Sequence, residues 1–318
     1  MLLLGFDIGG TKCAVSIGTY ENGQISIEAK EGYPTDFSIS AEDMCLKMVT
    51  SAKRLLNGRK CDSVGVSCGG PLDSKRGVVM SPPNLPGWDN VEVVKIIKEQ
   101  LGCPVFLEND ANACALAEWK FGAGRGSDNM AFMTFGTGLG AGLILDGRLY
   151  RGISDMAGEV GHIRLAPFGP VGYGKKGSFE GFCSGNGIAQ LGDIIAKEYL
   201  GRGITPSYYS KEKIASAKDI AEAARNGDEA AKEVFNICGT KLGEGLSVMI
   251  DILNLERVVI GSIFTRCQDL LVPAMETVIK REALPHSANF CKILPAGLNE
   301  SIGDYAAIAI ALANLEEK

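Results

Sequence analysis

Short apolar blocks with internal alternation open the chain, and they predict strand after strand. Residues 2–8, 12–20 and 24–33 read as three consecutive strands, with Asn22-Gly23 as the turn between the second and third. Ser40 offers a capping hydroxyl for a helix over 41–57, in which Leu46, Val49, Leu55 and Leu56 are apolar. Residues 63–67 form a short buried strand that ends in Cys68-Gly69-Gly70-Pro71, and a helix over 90–101 leads into a strand at 104–107. Three strands followed by helix, strand, helix, strand predict a mixed sheet with helical crossovers.

The pattern then partly repeats. Residues 130–135 are a strand, Gly136-Thr137-Gly138-Leu139-Gly140-Ala141-Gly142 a glycine turn, and 143–145 the next strand, with Asp146-Gly147 as a further hairpin turn. Strand, Gly/Thr turn, strand thus occurs at 2–17 and again at 130–145, and two such turns facing each other would clamp a triphosphate from both sides. Residues 158–187 are rich in Gly and Pro and read as irregular. Helices follow over 187–199, 213–225 and 228–253, the last amphipathic through Val234, Ile237, Leu242, Leu246, Met249 and Ile250. A strand at 257–260 ends in Gly261-Ser262, and a helix over 268–281, a strand at 291–295 and a helix over 302–316 close the chain. The glycine break at 122–126 sets the main boundary. The expected division is 1–118 plus 302–318 against 119–301.

Composition narrows the classes. A length of 318 residues suggests two domains, and 46% hydrophobic with 22% charged residues is enough for a full core. The net charge of −6, with no basic block, argues against a standing nucleic-acid surface. The ten cysteines contain no C-x-x-C pair and read as reduced core residues of a cytoplasmic protein. Asp7 interrupts the first apolar run too early for a signal peptide, and the apolar stretch 306–313 is too short to span a bilayer.

Candidate chemistry lies at strand ends. In Asp7-Ile8-Gly9-Gly10-Thr11-Lys12, bare backbone N–H groups beside Thr11 and Lys12 suit a polyphosphate, and Asp7 could hold the accompanying Mg²⁺ through water. The plainer reading is a hairpin with a charged tip. Glu108-Asn109-Asp110-Ala111-Asn112-Ala113 puts polar groups where a strand ends and a helix opens, the place where α/β sheets bind ligands. A carboxylate there, Asp110, could accept the proton of a hydroxyl in phosphoryl transfer; the plainer reading is a helix cap. Gly158-Glu159-Val160-Gly161-His162 and Glu180 suit sugar hydroxyls, with a solvated loop or a zinc-ligating His162 as alternatives, whereas His286 reads as surface. Two glycine patterns are decoys. Gly169 to Lys176 resembles a P-loop but has Lys where Ser or Thr must bind Mg²⁺, and Gly172 to Gly177 matches G-x-G-x-x-G without the flanking strand and helix.

Asp7 to Lys12, Asn84-Leu85-Pro86-Gly87-Trp88, Glu108 to Asn112, Thr134 to Gly140 and Gly158 to His162 come in an order that resembles the ROK family of sugar kinases, within the actin-like ATPase and hexokinase superfamily. The resemblance covers nearly the whole chain. It implies an α/β fold of two actin-like (ribonuclease H-like) domains flanking a cleft, MgATP as donor, a hexose or N-acetylhexosamine as acceptor, and a homodimer. By the same resemblance Asp110 is the general base. Asn109, Glu159, His162 and Glu180 bind sugar hydroxyls, with Asn84 and Gly69 nearby. Asp7 organises Mg²⁺; Gly9, Gly10, Thr11 and Lys12 face the phosphates; Thr137 and Gly138 hold their other side; Gly261 lies against adenosine. Ser262 stands where the family often has a second glycine. DNA-binding repressors of the family resemble this chain with an added helix-turn-helix segment, for which the phosphate motif at Asp7 leaves no room.

Most kinases of this family carry a structural zinc in a C-x-C-G-x-x-G-C-x-E segment, completed by the histidine of G-E-x-G-H. The matching segment here runs from Val171 to Glu180, and its three cysteine positions are Val171, Tyr173 and Ser178. A closed zinc site needs four soft or imidazole ligands, and His162 with Cys183 makes two. The expectation is no structural zinc, with the loop held by packing of Val171, Tyr173, Phe179 and Phe182 and by hydrogen bonds from Tyr173 and Ser178. The reading is an ATP-dependent, glucokinase-like hexose kinase acting on the 6-hydroxyl. A catalytically weak sugar sensor is the alternative, and a plain ATPase is disfavoured by the Glu159, His162 and Glu180 cluster. The pattern does not name the sugar.

Overall fold

The structure is a computed structural model that describes residues 1–316. It divides into two compact units. The first takes Met1–Gly126, Gly142–Ala157 and the chain from Gly297 on; the second takes Ser127–Ala141 and Gly158–Ala296.

In the first unit β1 (Leu2–Ile8), β2 (Lys12–Glu21) and β3 (Gln24–Pro34) form an antiparallel meander. Asn22 and Gly23 both have positive φ, 52° and 76°, as a type I′ turn requires. Helix α1 (Ala41–Leu56) starts at Ser40, whose hydroxyl accepts the Asp43 N–H. Then come β4 (Ser63–Cys68), the short pair β5 (Leu72–Asp73) and β6 (Val78–Val79), α2 (Val93–Leu101), β7 (Val105–Asn109) and α3 (Asp110–Phe121). The main sheet has the order β3-β2-β1-β4-β7, with β1, β4 and β7 parallel. Its register sets Asp7, Ser67 and Glu108 in one row across three neighbouring strands. The expected mixed sheet is present, and its parallel strands deliver Asp7 and Asn109 to the same end.

One face of this sheet packs on α1 and α2 through Phe6, Val15, Met44, Met48, Val64 and Val66. The other face is covered by the last helix, α11 (Ile302–Glu316), whose run from Ala306 to Ala313 is buried. This contact needs glycine: a methyl group on Gly5 would lie 2.9 Å from Ala307 Cβ, and one on Gly65 would overlap the Ala307 carbonyl. Among the described residues no helix is long and apolar enough to cross a membrane.

The second unit opens with β8 (Met130–Phe135); β9 (Leu139–Leu145) follows, within which the division falls, and β10 (Arg148–Leu149) lies in the first unit. A 3-10 turn (Val160–His162), the hairpin β11 (Val171–Gly172) and β12 (Lys175–Lys176), and helices α4 (Phe179–Phe182), α5 (Gly185–Gly201), α6 (Ala217–Arg225) and α7 (Glu229–Leu253) follow. β13 (Arg257–Ile260), α8 (Ile263–Arg266), α9 (Gln268–Glu282), α10 (Pro285–Phe290) and β14 (Lys292–Pro295) complete the second unit. The sheet order β10-β9-β8-β13-β14 repeats the connectivity of the first sheet.

Three local readings differ from the structure. β9 starts at Leu139, inside the stretch read as a glycine turn. Gly140 donates its N–H to Thr134 Oγ1 (3.0 Å), and Gly142 is glycine because a methyl there would lie 2.6 Å from the Ala111 carbonyl and the Ala115 side chain. Helix α6 begins at Ala217 rather than 213, where Ser216 and Asp219 form a capping box. The segment 158–187 is not structureless, since β11, β12 and α4 lie in it.

Candidate active site

In the first unit the site begins at the end of β1. Asp7 is half-buried, while Thr11 and Lys12 are exposed at the β1–β2 turn. The turn is closed by a bond from the Gly9 N–H to the Lys12 carbonyl (3.1 Å), and the Thr35 hydroxyl donates to the Gly9 carbonyl (2.5 Å). Gly10 is required by close approach: a methyl there would overlap the Asn84 carbonyl and lie 2.9 Å from Asn84 Cβ. The structure therefore brings Asn84 to the turn. Its loop is anchored by Leu85 and Trp88, both buried.

At the end of β7, Asn109 caps α3 by accepting the Ala111 N–H (2.9 Å). Asp110 is the first helical residue, and its Oδ1 also accepts from Ala111 N–H (2.8 Å). Asn109 is thus the N-cap, and Asp110 shares its Ala111 N–H through Oδ1 alone. Asp110 is open to water yet closely surrounded by protein. That desolvation raises its pKa against the lowering pull of the Ala111 N–H. Asp7 is pushed up to about 6, first by burial and then by the Asp110 charge, with Lys12 pulling it down. Gly69, which follows β4, has open space where a side chain would be.

Sequence reasoning missed the support behind these residues. Glu108 is fully buried; it accepts from Asn112 Nδ2 (2.9 Å) and the Asn109 N–H (3.1 Å), and pairs with Arg151 Nε (2.6 Å). Burial raises its pKa, with Arg151 as the main opposing influence. Glu118, also buried, accepts backbone N–H groups of Ala123 (2.8 Å), Gly297 (3.0 Å) and Leu298 (2.8 Å), which ties α3 to the returning C-terminal segment. A carboxylate inside an otherwise apolar stretch was the available signal in both cases.

The second unit holds the other residues. The β8–β9 turn carries exposed Thr137 and then Gly138, and the Gly136 N–H donates to the Gly138 carbonyl (3.1 Å). Glu180 accepts the Leu139 N–H (2.9 Å), and a methyl on Gly138 would lie 2.8 Å from Glu180 Oε2. Glu159 precedes the Val160–His162 turn, His162 ends it, and both are exposed. Gly161 between them packs on the Leu139 carbonyl and Glu180 Cβ. Glu159, His162, Glu180, Thr137 and Gly138 are therefore one cluster. A cavity of about 1430 Å³ opens beside it, lined by Gly136, Thr137, Glu180, Gln190, Ser262 and Arg266 among others. Gly261 itself packs toward Phe132 and Ala296, and the next residue, Ser262, lines the cavity.

The segment from Val171 to Glu180 is held by hydrogen bonds and packing. Gln190 donates to the Val171 carbonyl (2.9 Å) and accepts its N–H (3.0 Å), an interaction the sequence did not announce. Buried Ser178 caps α4 by accepting the Gly181 N–H (3.1 Å), and Phe179 and Phe182 are buried. Tyr173, expected to pack inward, is 76% exposed and lies edge-on to the His162 ring at 6.4 Å. Among the described residues no three His, Cys, Asp or Glu side chains gather to hold a metal ion.

The profile of the ROK family matches residues 3–314. A glucokinase of Thermotoga maritima is 31% identical over 309 residues, 97% of this chain and 96% of that protein. The solved structure of a ROK hexokinase from Thermus thermophilus superposes with a TM-score of 0.82 at 26% identity, covering 100% of both chains. A ROK glucokinase from Streptomyces griseus, solved in complex with glucose and AMPPNP, has a TM-score of 0.75 at 29% identity, covering 98% of this chain and 100% of that one. Two α/β units built on repeated sheets, with the motifs at their strand ends, agree with that likeness, and the chain belongs to the ROK family with its actin-like fold.

Proposed function

We propose that this carbohydrate kinase transfers the γ-phosphoryl group of MgATP to the 6-hydroxyl of a hexose or N-acetylhexosamine. The observation that carries the reading is Asp110, placed at the first turn of α3 with a raised pKa and open to water, beside an Asn109 that serves as the N-cap. A carboxylate of raised pKa is a stronger base, and it takes the proton as the sugar hydroxyl attacks in line. Asn109, Asn84, Gly69, Glu159, His162 and Glu180 bind the remaining hydroxyls. Backbone N–H groups of Gly10 and Thr11, the Lys12 ammonium, and Thr137 with Gly138 stabilise the phosphate charge, on a turn that the Gly9 N–H closes. Asp7, whose charge Asp110 disfavours, is the carboxylate that would hold the Mg²⁺ arriving with ATP, and that ion would neutralise charge on the phosphates.

The sugar is identified by ADP release over a panel of about ten hexoses and N-acetylhexosamines, since one lost sugar hydrogen bond changes rates by orders of magnitude. Turnover with one or two of them is expected, and no sugar-dependent ADP release above the rate without sugar refutes the kinase. The Val171 to Glu180 segment is proposed to work without zinc. Elemental analysis of protein purified without chelator or metal resin should find far less than one zinc per chain.

A further inference from the structure

Ser262 has φ +57° and ψ −112°. Asn57 and Asn254 also have positive φ, but their ψ values of 49° and 53° place them in the left-handed helical region that Asn tolerates. The Ser262 conformation belongs instead to the first central position of a type II′ turn, which glycine dominates. A side chain there strains the backbone, and such strain persists where surrounding structure holds it for a purpose.

The side chain has a definite setting. Its Oγ accepts a hydrogen bond from Arg266 Nη2 at 3.1 Å. Its Oγ also lies 3.7 Å from where a methyl on Gly136 would stand, beside the turn that carries Thr137 and Gly138. Both Ser262 and Arg266 line the large cavity of the second unit. Arg225, a neighbouring cation of that cavity, is already engaged by both oxygens of Asp269 at 2.8 Å. A hydroxyl that accepts from a guanidinium keeps its own proton to donate, and both groups then offer donors to one anionic oxygen.

We propose that Ser262 and Arg266 together bind a phosphate oxygen of the nucleoside polyphosphate, and that the side chain at 262 is held in a glycine-type conformation for this contact. The inference rests on the reading of the cavity as the nucleotide site. Ser262 is then an affinity determinant that acts by its own donor and by orienting Arg266.

The test is calorimetric titration of the intact chain, without sugar, with ADP, AMP and adenosine, beside thermal melts. Ser262→Gly is expected to weaken ADP about 5- to 20-fold, in line with loss of a charge-assisted pair, to leave adenosine unchanged, and to keep or raise Tm. Ser262→Ala, which retains the strain, should lose ADP affinity with no gain in Tm. ADP affinity equal to wild type in Ser262→Gly, or an equal loss for adenosine, overturns the phosphate contact while leaving the nucleotide site standing. A wild-type chain that binds none of the three overturns the nucleotide site and this inference with it.

Discussion

Replacing Asp7 by Asn removes a carboxylate that the folded chain holds against its preference. Its pKa is pushed from 3.8 up to about 6, chiefly by burial at the end of β1 and next by Asp110. That gap corresponds to about 3 kcal/mol between the folded and unfolded states. The direction follows from linkage. The folded state binds this proton more tightly than the unfolded one, so the contribution is fully present below pH 3.8 and lost as pH rises through about 6. Asn has no such proton to lose. Asp7→Asn should therefore melt with wild type at pH 4 and above it at pH 7, by about 5–10 °C for a unit of this size. Because the Asp110 charge is the second cause, the gain should shrink when Asp110→Asn is already present. Differential scanning calorimetry of the four chains, free of nucleotide, measures all of this. A Tm difference that does not change between pH 4 and pH 7, or a less stable Asn variant at pH 7, refutes the electrostatic reading of Asp7.

Asp110→Asn should lower kcat roughly 10²-fold or more with sugar affinity largely kept, and near-normal turnover removes it as the base. Arg151→Met leaves Glu108 buried without its cation, which should cost about 3–5 kcal/mol of stability. Adding Glu108→Gln should recover much of that loss, and strictly additive losses in denaturant melts would show that the pair is not coupled. Gly10→Ala should cost about 1–3 kcal/mol, because its methyl meets the Asn84 backbone. Gly138→Ala should cost less, because it meets only the movable end of Glu180; equal shifts in Tm would contradict this.

What the sequence revealed was local. The three opening strands, the Asn22-Gly23 turn and the Ser40 cap each depend on residues within a few positions of one another. The same holds for Asp110 at the start of α3, where an apolar strand meets a polar helix opening. What stayed hidden depends on partners far along the chain. Nothing near Glu108 announces Arg151, nothing near Glu118 announces Gly297, and nothing near Val171 announces Gln190. Glycines misled for a related reason. Gly142 reads as a turn residue in the sequence, but the structure uses it for close approach to α3, which only the tertiary contact reveals. Helices as short as α8 and α10 have too few turns to show a period.

Helix α11 covers β1 and β4 at Gly5 and Gly65, yet it leaves the ribosome after all the other elements named above. During translation the first sheet has its strands but lacks the cover for one face. The whole second unit is made before that cover arrives, a delay on the order of tens of seconds at ordinary elongation rates. The usual order of N-terminal folding first is thereby inverted: the inserted unit can finish while the first waits with Leu3 and its neighbours bare. Nascent chains stalled before residue 302 should accordingly offer chaperones an apolar sheet face that the finished protein hides. Even a mild helix breaker in 306–313 would then act on folding yield at the N-terminal strands, some three hundred residues upstream of the change.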